Sequence, residues 1–460
     1  MSGAQALVRS LARHGVEVVF GLPGVQIMDV FDALYDEPGI RMVLTRHEQA
    51  TTYMADGYAR TTGKPGVALV VPGPGALNAT AGLGTAYATS SPVLLVSGQI
   101  ESYNLGQNRG ALHEIGEQLD VFKHLTKWCG RSDKVNEIPG MVRNAFQEMS
   151  SGRPRPVEIE IPWDVLSMTD ETELPEPEGP VKQQPEPALI REAAQLLAGA
   201  SRPLIWAGGG TRDAAVSSEL MDLAEALNSP VITTPEGKGA IPENSPLSLG
   251  SFYYAHGPGH IALPQADVIL AVGSRMMFTP NVPWGIQPHQ RVVQIDADPE
   301  ELGRNIPATV GIAADARLGW TETEITAIRQ QADLEIREMA PLQVEIIETI
   351  RHELDDDAIM VAGTTDIGYW SHLAYPVLAP RSYLTSSYFA TLGKGINVVT
   401  LVFNNEMLGA SHHDQQQRFG GRVIGTRLHN PDFAQLAEAY GAVGVRLDSH
   451  EGWGTLSVTP

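Results

Sequence analysis

The feature that most constrains this chain is a series of short apolar runs, each closed by Gly, Pro or a small polar residue. In the first third of the chain these runs occupy residues 16–20, 42–45, 67–71, 92–98 and 157–161. Helix-length segments separate them, and this spacing predicts parallel β-strands joined by crossover helices. Several runs are apolar throughout, as is typical of strands covered on both faces. We therefore expect an α/β fold built on doubly wound parallel sheets.

The length of the chain indicates more than one domain, because 460 residues exceed what one hydrophobic core usually organises. We place a first domain at 1–165 and a linker rich in Glu and Pro at 166–188, which cannot bury much surface. A central domain at 189–320 and a third domain at 321–460 follow. All three are expected to contain a doubly wound parallel sheet.

The two later domains repeat the pattern of the first. In the central domain, strands are predicted in the four runs that open at Arg202, Pro230, Ala266 and Arg291. In the third domain they are predicted at 358–362, 397–403 and 443–447. Strands that end in Gly or a small polar residue place ligand crevices at their carboxyl ends.

Charge and cysteine content exclude several classes of function. The formal net charge is -22, which argues against nucleic acid or an anionic membrane as the main partner. Cys129 is the single cysteine, so no intrachain disulfide forms. The chain has no apolar run of roughly 20 residues that could span a bilayer, and its first residues lack the pattern of a signal peptide. We expect a cytoplasmic protein.

Three neighbouring segments of the first domain carry the sharpest functional signal. Glu48 stands where a predicted strand gives way to a helix, a position that favours a carboxylate. A lone Glu there is more often a helix cap. Here the segment Phe-Gly-Leu-Pro-Gly-Val precedes it at 20–25, and Pro-Gly-Pro-Gly-Ala-Leu-Asn follows it at 72–78. The glycine-rich turn lets the backbone approach a ligand closely.

Together these segments resemble the pyrimidine-binding domain of acetolactate synthase-like enzymes, which depend on thiamine diphosphate (ThDP). The resemblance covers most of residues 3–165. It implies that Glu48 hydrogen-bonds the pyrimidine ring and promotes the tautomer that takes a proton from the thiazolium carbon. Five further positions are implied to contact the cofactor in the same pocket: Gly24, Val25, Pro72, Gly73 and Asn78.

The expected substrate pocket departs from the family pattern at one position. Leu112-His113-Glu114 falls where acetolactate synthases have Phe-Gln-Glu. His113 is therefore a candidate general acid or base, or a group that orients a substrate oxygen. A loop histidine without a catalytic role is the alternative interpretation.

In the third domain, residues 383–393 resemble the family segment that supports the bent shape of the cofactor. The resemblance implies that Leu392 wedges between the two rings and that Ala390, with Thr391 beside it, contacts the pyrimidine through its carbonyl. A buried apolar turn is the alternative. Further on, a run ending in two asparagines resembles half of the family's metal motif. The implied Mg²⁺ ligands are the Asn405 side chain and the Met407 carbonyl.

The other half of that metal motif, Gly-Asp-Gly on a separate strand, does not occur in the chain. Gly393 is followed directly by Lys394, so a strand and crossover helix of roughly 30 residues are missing relative to the family. The chain is also abbreviated near 318 and 453. Two interpretations stay open: the protein lacks the metal-anchoring aspartate, or the sequence joins the ordered parts of a longer protein.

Flavin binding is the less favoured expectation. Relatives that bind FAD use an Arg-Phe-Asp-Asp-Arg run and a Gly-Met-His-Gly turn in the central domain. The corresponding stretches here keep Arg275 and His256–Gly257 but lack the paired aspartates. The three glycines at 208–210 form only an incomplete dinucleotide-binding motif.

The resemblance is closest to acetolactate synthases, so we expect decarboxylation of a small 2-oxo acid followed by carboligation. A decarboxylase, a lyase, a sulfoacetaldehyde-type acetyltransferase and a non-catalytic ThDP-fold subunit stay open. A nicotinamide-dependent oxidoreductase would explain the Gly-ended turns but not the segments around Glu48. Family geometry further implies a homodimer or homotetramer with active sites at subunit interfaces.

Overall fold

In the computed structural model, the apolar runs of the first domain form a six-stranded parallel sheet with the order β2-β1-β3-β4-β6-β5. Its strands are β1 (Val18–Gly21), β2 (Arg41–Leu44), β3 (Gly66–Val70), β4 (Val93–Gln99), β5 (Trp128–Arg131) and β6 (Val157–Pro162). Its helices are α1 (Gly3–Arg13), α2 (Met28–Tyr35), α3 (Glu48–Thr62), α4 (Pro74–Thr89), α5 (Gln118–Phe122), α6 (Ile138–Ser150) and α7 (Trp163–Ser167).

Both faces of this sheet are covered, because side chains alternate between two separate apolar clusters. Val67 and Leu69 of β3 belong to one cluster, and Ala68 and Val70 belong to the other. The first cluster includes residues of α1 and α6, and the second includes residues of α3 and α4. This two-sided burial explains why β3 and the first four residues of β4, Val93–Val96, are apolar.

The structure describes residues 1–180, 185–212, 214–252, 256–277, 286–310, 322–385 and 398–447. Within these ranges no helix is long and apolar enough to cross a membrane. The chain divides into two compact units, Met1–Gly393 and Lys394–Pro460.

The central domain contains a second parallel sheet, of five strands in the order β11-β10-β7-β8-β9. Its strands are β7 (Pro203–Ala207), β8 (Val231–Thr233), β9 (Ser248–Ser251), β10 (Val268–Val272) and β11 (Arg291–Ile295). The helices of this part are α8 (Pro187–Ala198), α9 (Ala214–Leu227) and α10 (Pro258–Ala262). The predicted α/β class with parallel sheets is thus confirmed.

The third part of the chain is only partly organised as a sheet. Two strands, β12 (Met360–Ala362) and β13 (Tyr383–Thr385), pair in parallel. The accompanying helices are α11 (Glu322–Met339), α12 (Pro341–Glu353) and α13 (Asp366–Ala374), followed in the second unit by α14 (Gly409–Arg418) and α15 (Phe433–Ala439). The run predicted at 358–362 therefore forms a strand.

The strands predicted at 397–403 and 443–447 are wrong for the part of each run that the structure describes. Residues 398–403 and 443–447 lie in no strand. The large apolar side chains of the first run, Val398, Val399, Leu401, Val402 and Phe403, are between 40% and 58% exposed. A run that is apolar on both faces forms a strand only when neighbouring strands and covering helices are present. The crossover unit missing between Gly393 and Lys394 would supply such neighbours in the family pattern.

Three strands were not predicted from the sequence: β5, β9 and β13. Among the described residues each of them pairs with a neighbouring strand on one side only. Cys129 and Gly130 of β5 are only partly buried, and β9 reads Ser-Leu-Gly-Ser. Such strands lack the apolar run that marks the central strands.

Candidate active site

The first sheet has a topological switch point between β1 and β3. From β1 the chain moves outward to β2, then returns to the other side of β1 to form β3. In open parallel sheets this is where the crevice outside the carboxyl ends of the strands receives a ligand. The segments that leave β1 and β3 here carry Gly24, Val25, Pro72 and Gly73. The structure therefore brings these four predicted positions to one crevice.

Glu48 lies at the same edge, as the first residue of α3. His47 caps this helix by accepting a hydrogen bond from the Gln49 N–H at 3.2 Å. The carboxylate of Glu48 is thus free of the capping role and lies in the first turn, where the helix dipole favours negative charge. Its Oε2 accepts a hydrogen bond from the Asn78 amide at 3.0 Å. Two of the predicted site residues are therefore in direct contact.

The Pro-Gly-Pro-Gly turn between β3 and α4 makes this approach possible. Gly73 has φ 58° and ψ -114°, a conformation that L side chains rarely adopt. A Cβ on Gly75 would lie 2.5 Å from a methyl carbon of Val71 and 3.6 Å from Glu48 Oε1. Close packing against Val71 therefore requires the glycine at 75, and the Glu48 carboxylate lies beside it.

His113 lies against the other side of the turn. A Cβ on Gly73 would lie only 2.3 Å from the His113 carbonyl oxygen. His113 itself has φ 70°, in the left-handed region that non-glycine residues seldom occupy. Its Nδ1 is buried and has no hydrogen-bond partner among residues that the structure describes. Backbone strain and an unsatisfied ring nitrogen are both more frequent at functional sites than elsewhere. The catalytic role of His113 stays a prediction, and a loop histidine without such a role stays the alternative.

The loop that carries His113 is braced from within. Glu114 accepts hydrogen bonds from the Gly110 and Ala111 N–H groups at 2.6 and 2.9 Å. The Leu112 carbonyl accepts one from the Gln26 side chain at 3.2 Å. Gln26 follows directly after Val25, so this contact links the loop to the segment that leaves β1.

One residue that contacts this turn was not singled out from the sequence. Gln118 accepts a hydrogen bond from the Gly73 N–H at 2.9 Å. A signal for such a partner does exist, because Gly73 carries the only N–H of the Pro72–Pro74 segment and a buried donor needs an acceptor. No local pattern shows which residue supplies it.

The predicted site residues of the third domain have different outcomes. Ala390, Thr391 and Leu392 lie outside the described residues. In the second unit, Asn405 Oδ1 accepts a hydrogen bond from the Met407 N–H at 3.2 Å, so the two proposed metal ligands form a local turn. Met407 also forms an isolated antiparallel bridge with Arg427.

The central sheet has its own switch point, between β7 and β10. The three glycines at 208–210 follow β7, and Gly273 follows β10. A Cβ on Gly208 would lie 2.2 Å from the Gly273 carbonyl oxygen, and one on Gly210 would lie 2.8 Å from the Gly273 Cα. Packing of the two loops against each other thus accounts for these glycines. FAD stays a less favoured prediction.

Three family models for thiamine pyrophosphate enzymes match the chain: the N-terminal TPP binding domain at residues 1–121, the central domain at 190–322 and the C-terminal TPP binding domain at 394–454. All three domains of the predicted architecture are therefore recognised.

Individual relatives align with nearly the whole chain. A probable acetolactate synthase large subunit of Methanocaldococcus jannaschii is 33% identical over 98% of this chain and 88% of its own length. A probable 2-ketoarginine decarboxylase of Pseudomonas aeruginosa is 33% identical over 96% of this chain and 88% of its own length. Acetolactate synthase isozyme 3 large subunit of Escherichia coli is 31% identical over 97% of this chain and 90% of its own length.

The alignment with the Methanocaldococcus protein runs over 526 positions, more than the 460 residues of this chain. The relative therefore has internal residues without counterparts in this chain. The predicted resemblance itself is confirmed. The chain belongs to the thiamine pyrophosphate enzyme family, and its relatives there include acetolactate synthase large subunits and a probable 2-ketoarginine decarboxylase.

Proposed function

We propose that this protein is a ThDP-dependent enzyme that decarboxylates a small 2-oxo acid and joins the remaining fragment to a second carbonyl compound, as acetolactate synthases do. The observation that supports it most directly is Glu48 at the head of α3, hydrogen-bonded to Asn78 beside the glycine turn. Acetolactate synthases among the relatives favour the ligation step.

The first domain fits the pyrimidine half of the cofactor. Glu48 Oε1 lies beside Gly75, where the absence of a side chain leaves room. Val25 is 58% exposed at the mouth of the crevice and offers an apolar surface to a ring. We propose that Gly24, Val25, Pro72 and Gly73 line the ring and that Glu48 hydrogen-bonds it.

When bound, ThDP supplies the acidic thiazolium carbon that adds to the 2-oxo acid and accepts the electron pair released with CO₂. The residues of this chain supply proton transfer and orientation. Asn78 fixes Glu48 Oε2, which leaves Oε1 to hold and return a proton. His113 is our candidate to protonate the oxygen of the acceptor carbonyl, through Nε2 because its Nδ1 is buried.

The described residues do not complete a Mg²⁺ site. Asn405 and Met407 supply at most two oxygen ligands, and Mg²⁺ prefers six, usually including a carboxylate. No group of three or more His, Cys, Asp or Glu side chains within the described ranges is arranged to hold a metal ion. Mg²⁺ stays an expectation that the family resemblance implies.

We also propose that the active protein is a homodimer or homotetramer. Five large apolar side chains at the carboxyl edge of the first sheet are between 43% and 65% exposed: Val25, Met28, Leu44, Leu77 and Leu112. Apolar patches of this kind mark interaction surfaces. A cofactor and a second subunit together would cover them.

A second candidate is a decarboxylase that releases the aldehyde without ligation. The Pseudomonas relative named as a probable 2-ketoarginine decarboxylase is as similar to this chain as the Methanocaldococcus protein. Leu112-His113 in place of Phe-Gln changes the substrate pocket relative to acetolactate synthases and is compatible with this alternative.

Two measurements test the proposal. Isothermal titration with ThDP in the presence of Mg²⁺ measures cofactor binding, and assays with pyruvate and 2-ketoarginine measure turnover. The variants are Glu48→Gln and, as a control on an exposed carboxylate, Glu17→Gln. We expect all three proteins to bind ThDP and only Glu48→Gln to lose turnover, by about 10²- to 10⁴-fold. Acetolactate formed from pyruvate supports the synthase, whereas an aldehyde product supports the decarboxylase. Absence of binding by folded wild-type protein would instead support a non-catalytic subunit.

A further inference from the structure

A buried glutamine lies beneath the turn between β3 and α4. Gln118, the first residue of α5, is fully buried, and its Oε1 accepts the hydrogen bond from the Gly73 N–H. Pro72 and Pro74 have no N–H, so Gln118 satisfies the one backbone donor of this Pro-Gly-Pro segment.

The orientation of the Gln118 amide is determined by its other contacts. Nε2 donates to Glu160 Oε2 at 2.9 Å, to Ser97 Oγ at 3.0 Å and to the Gly98 carbonyl at 3.2 Å. The Ser97 hydroxyl donates its own proton to Glu158 at 2.6 Å, so it accepts from Gln118. With acceptors on this side, the amide oxygen must face the turn.

Glu160, the strongest of these acceptors, is itself fixed. Its buried carboxylate receives hydrogen bonds from Arg131 at 3.0 Å and from Gln99 at 3.2 Å. The three residues belong to β6, β5 and β4, neighbouring strands of one sheet. Gln118 therefore connects the Gly73 turn to the rigid sheet rather than to a mobile loop.

On its other side Gly73 meets the His113 carbonyl, which occupies the place of a Cβ. We propose that Gln118 is a positioning residue. It holds the Gly73 turn against the loop of His113 and so sets His113 relative to Glu48. The consequence for catalysis depends on the proposed function, whereas the placement of the turn does not.

Amide hydrogen exchange of Gly73 tests the placement directly, because it is the only exchangeable backbone amide between Val71 and Gly75. In wild type this amide should exchange as slowly as those of β3 and β4. Gln118→Met should accelerate its exchange about ten-fold, the effect of one lost buried hydrogen bond. In its protonated form, Gln118→Glu accepts from the Gly73 N–H and donates to Glu160, so at low pH it should preserve most of the protection. It provides a second variant if the methionine variant does not fold.

A matched control exists in the central domain. Gln294 is also buried, accepts from the Gly303 N–H at 2.8 Å and donates to the Ser274 and Glu301 carbonyls. Gln294→Met should accelerate exchange at Gly303 and leave Gly73 unchanged. Fast exchange of Gly73 in wild type, or equal acceleration of Gly73 by both methionine variants, would overturn the proposal.

The effect on catalysis is measured as pyruvate turnover by the holoenzyme. Gln118→Met should lower kcat about ten-fold with little change in KM, because it misplaces groups without removing a substrate contact. Gln294→Met should leave kcat unchanged. Slow Gly73 exchange with equal kcat in both variants would overturn the positioning role. If wild type has no turnover, the proposed function fails while the exchange result still decides the placement of the turn.

Discussion

Residues 66–70 and 398–403 are both short apolar runs rich in Val and Leu, and they differ in what lies beside them. The first forms β3, paired with β1 and β4 and buried along its whole length. The second lies in no strand, and its large apolar side chains are 40% or more exposed. An apolar run therefore forms a central strand only where neighbouring strands supply hydrogen-bond partners and helices cover both faces of the sheet.

The largest effect should come from truncating one leucine in each run. Leu69→Ala removes a side chain from the core of the first sheet and should lower the free energy of unfolding by about 4 kcal/mol. Leu401→Ala, at a residue that is 40% exposed, should change it by less than about 0.5 kcal/mol. Denaturant unfolding of both variants measures the contrast. An equally large loss at Leu401 would show that the second run is buried in the working protein, by a partner or an additional segment.

How far the sequence predicts the fold follows from the same contrast. Central strands such as β3 and β4 were predicted because burial on both faces leaves a continuous apolar run. The strands β5, β9 and β13 were not predicted, because a strand with a neighbour on one side only needs no such run. The strand at 397–403 was predicted because sequence patterns are local and do not report a missing neighbour.

In the candidate site, too, some features were predicted from the sequence and others were not. Glu48 and Asn78 were expected to lie near one pocket from the family resemblance, but their hydrogen bond was not predicted. Gln118 was missed altogether. Its partner Gly73 is 45 residues away along the chain, and long-range polar contacts leave no periodic trace in a sequence.

A second test concerns β13, the third-domain strand that does form beside β12. Arg60 of α3 donates to the Thr385 carbonyl at 3.0 Å and contacts Glu236 and Asp56 at 3.2 and 3.6 Å. Arg60→Met leaves the buried Asp56 without this cation and should cost about 3 kcal/mol. Thermal unfolding measures the loss, with the exposed Lys64→Met as control. A loss no larger than that of the control would mean that β13 depends on its strand pairing alone.

A third test concerns Glu158, whose carboxyl group is fully buried in the first sheet. Burial raises the pKa of the Glu158 carboxyl well above its usual value, and the neighbouring Glu160 adds to the effect. The folded state therefore keeps a proton that the unfolded state releases, so this residue lowers stability as the pH rises above the unfolded pKa of about 4.3. Glu158→Gln should stabilise the protein near neutral pH by on the order of 1 kcal/mol, and the gain should vanish below about pH 4.

The matched control is Glu117→Gln, which removes a half-exposed carboxylate that pairs with Arg131, the cation beside Glu160. It should produce no comparable gain at neutral pH. Unfolding curves from pH 4 to pH 8 distinguish the two variants, and a Glu158→Gln protein that is less stable than wild type at every pH would contradict the assignment.

The smallest effect compares two helix caps. Ser2 caps α1 through a reciprocal pair of hydrogen bonds with Gln5, and α1 buries one face in the first core. Asp432 caps α15 by accepting from the Ala434 and Gln435 N–H groups, yet α15 buries no residue. Ser2→Ala should lower global stability by about 1 kcal/mol.

Asp432→Ala removes an equivalent cap, but its cost should stay local. A helix contributes to cooperative unfolding only through the side chains that it packs into a core, and a seven-residue helix is marginal without such packing. Amide exchange in 433–439 should therefore accelerate while the main unfolding transition does not move. If Asp432→Ala shifted that transition as much as Ser2→Ala, α15 would have to be packed in the assembled protein, and the exposed runs of the second unit would then be surfaces that await a neighbour.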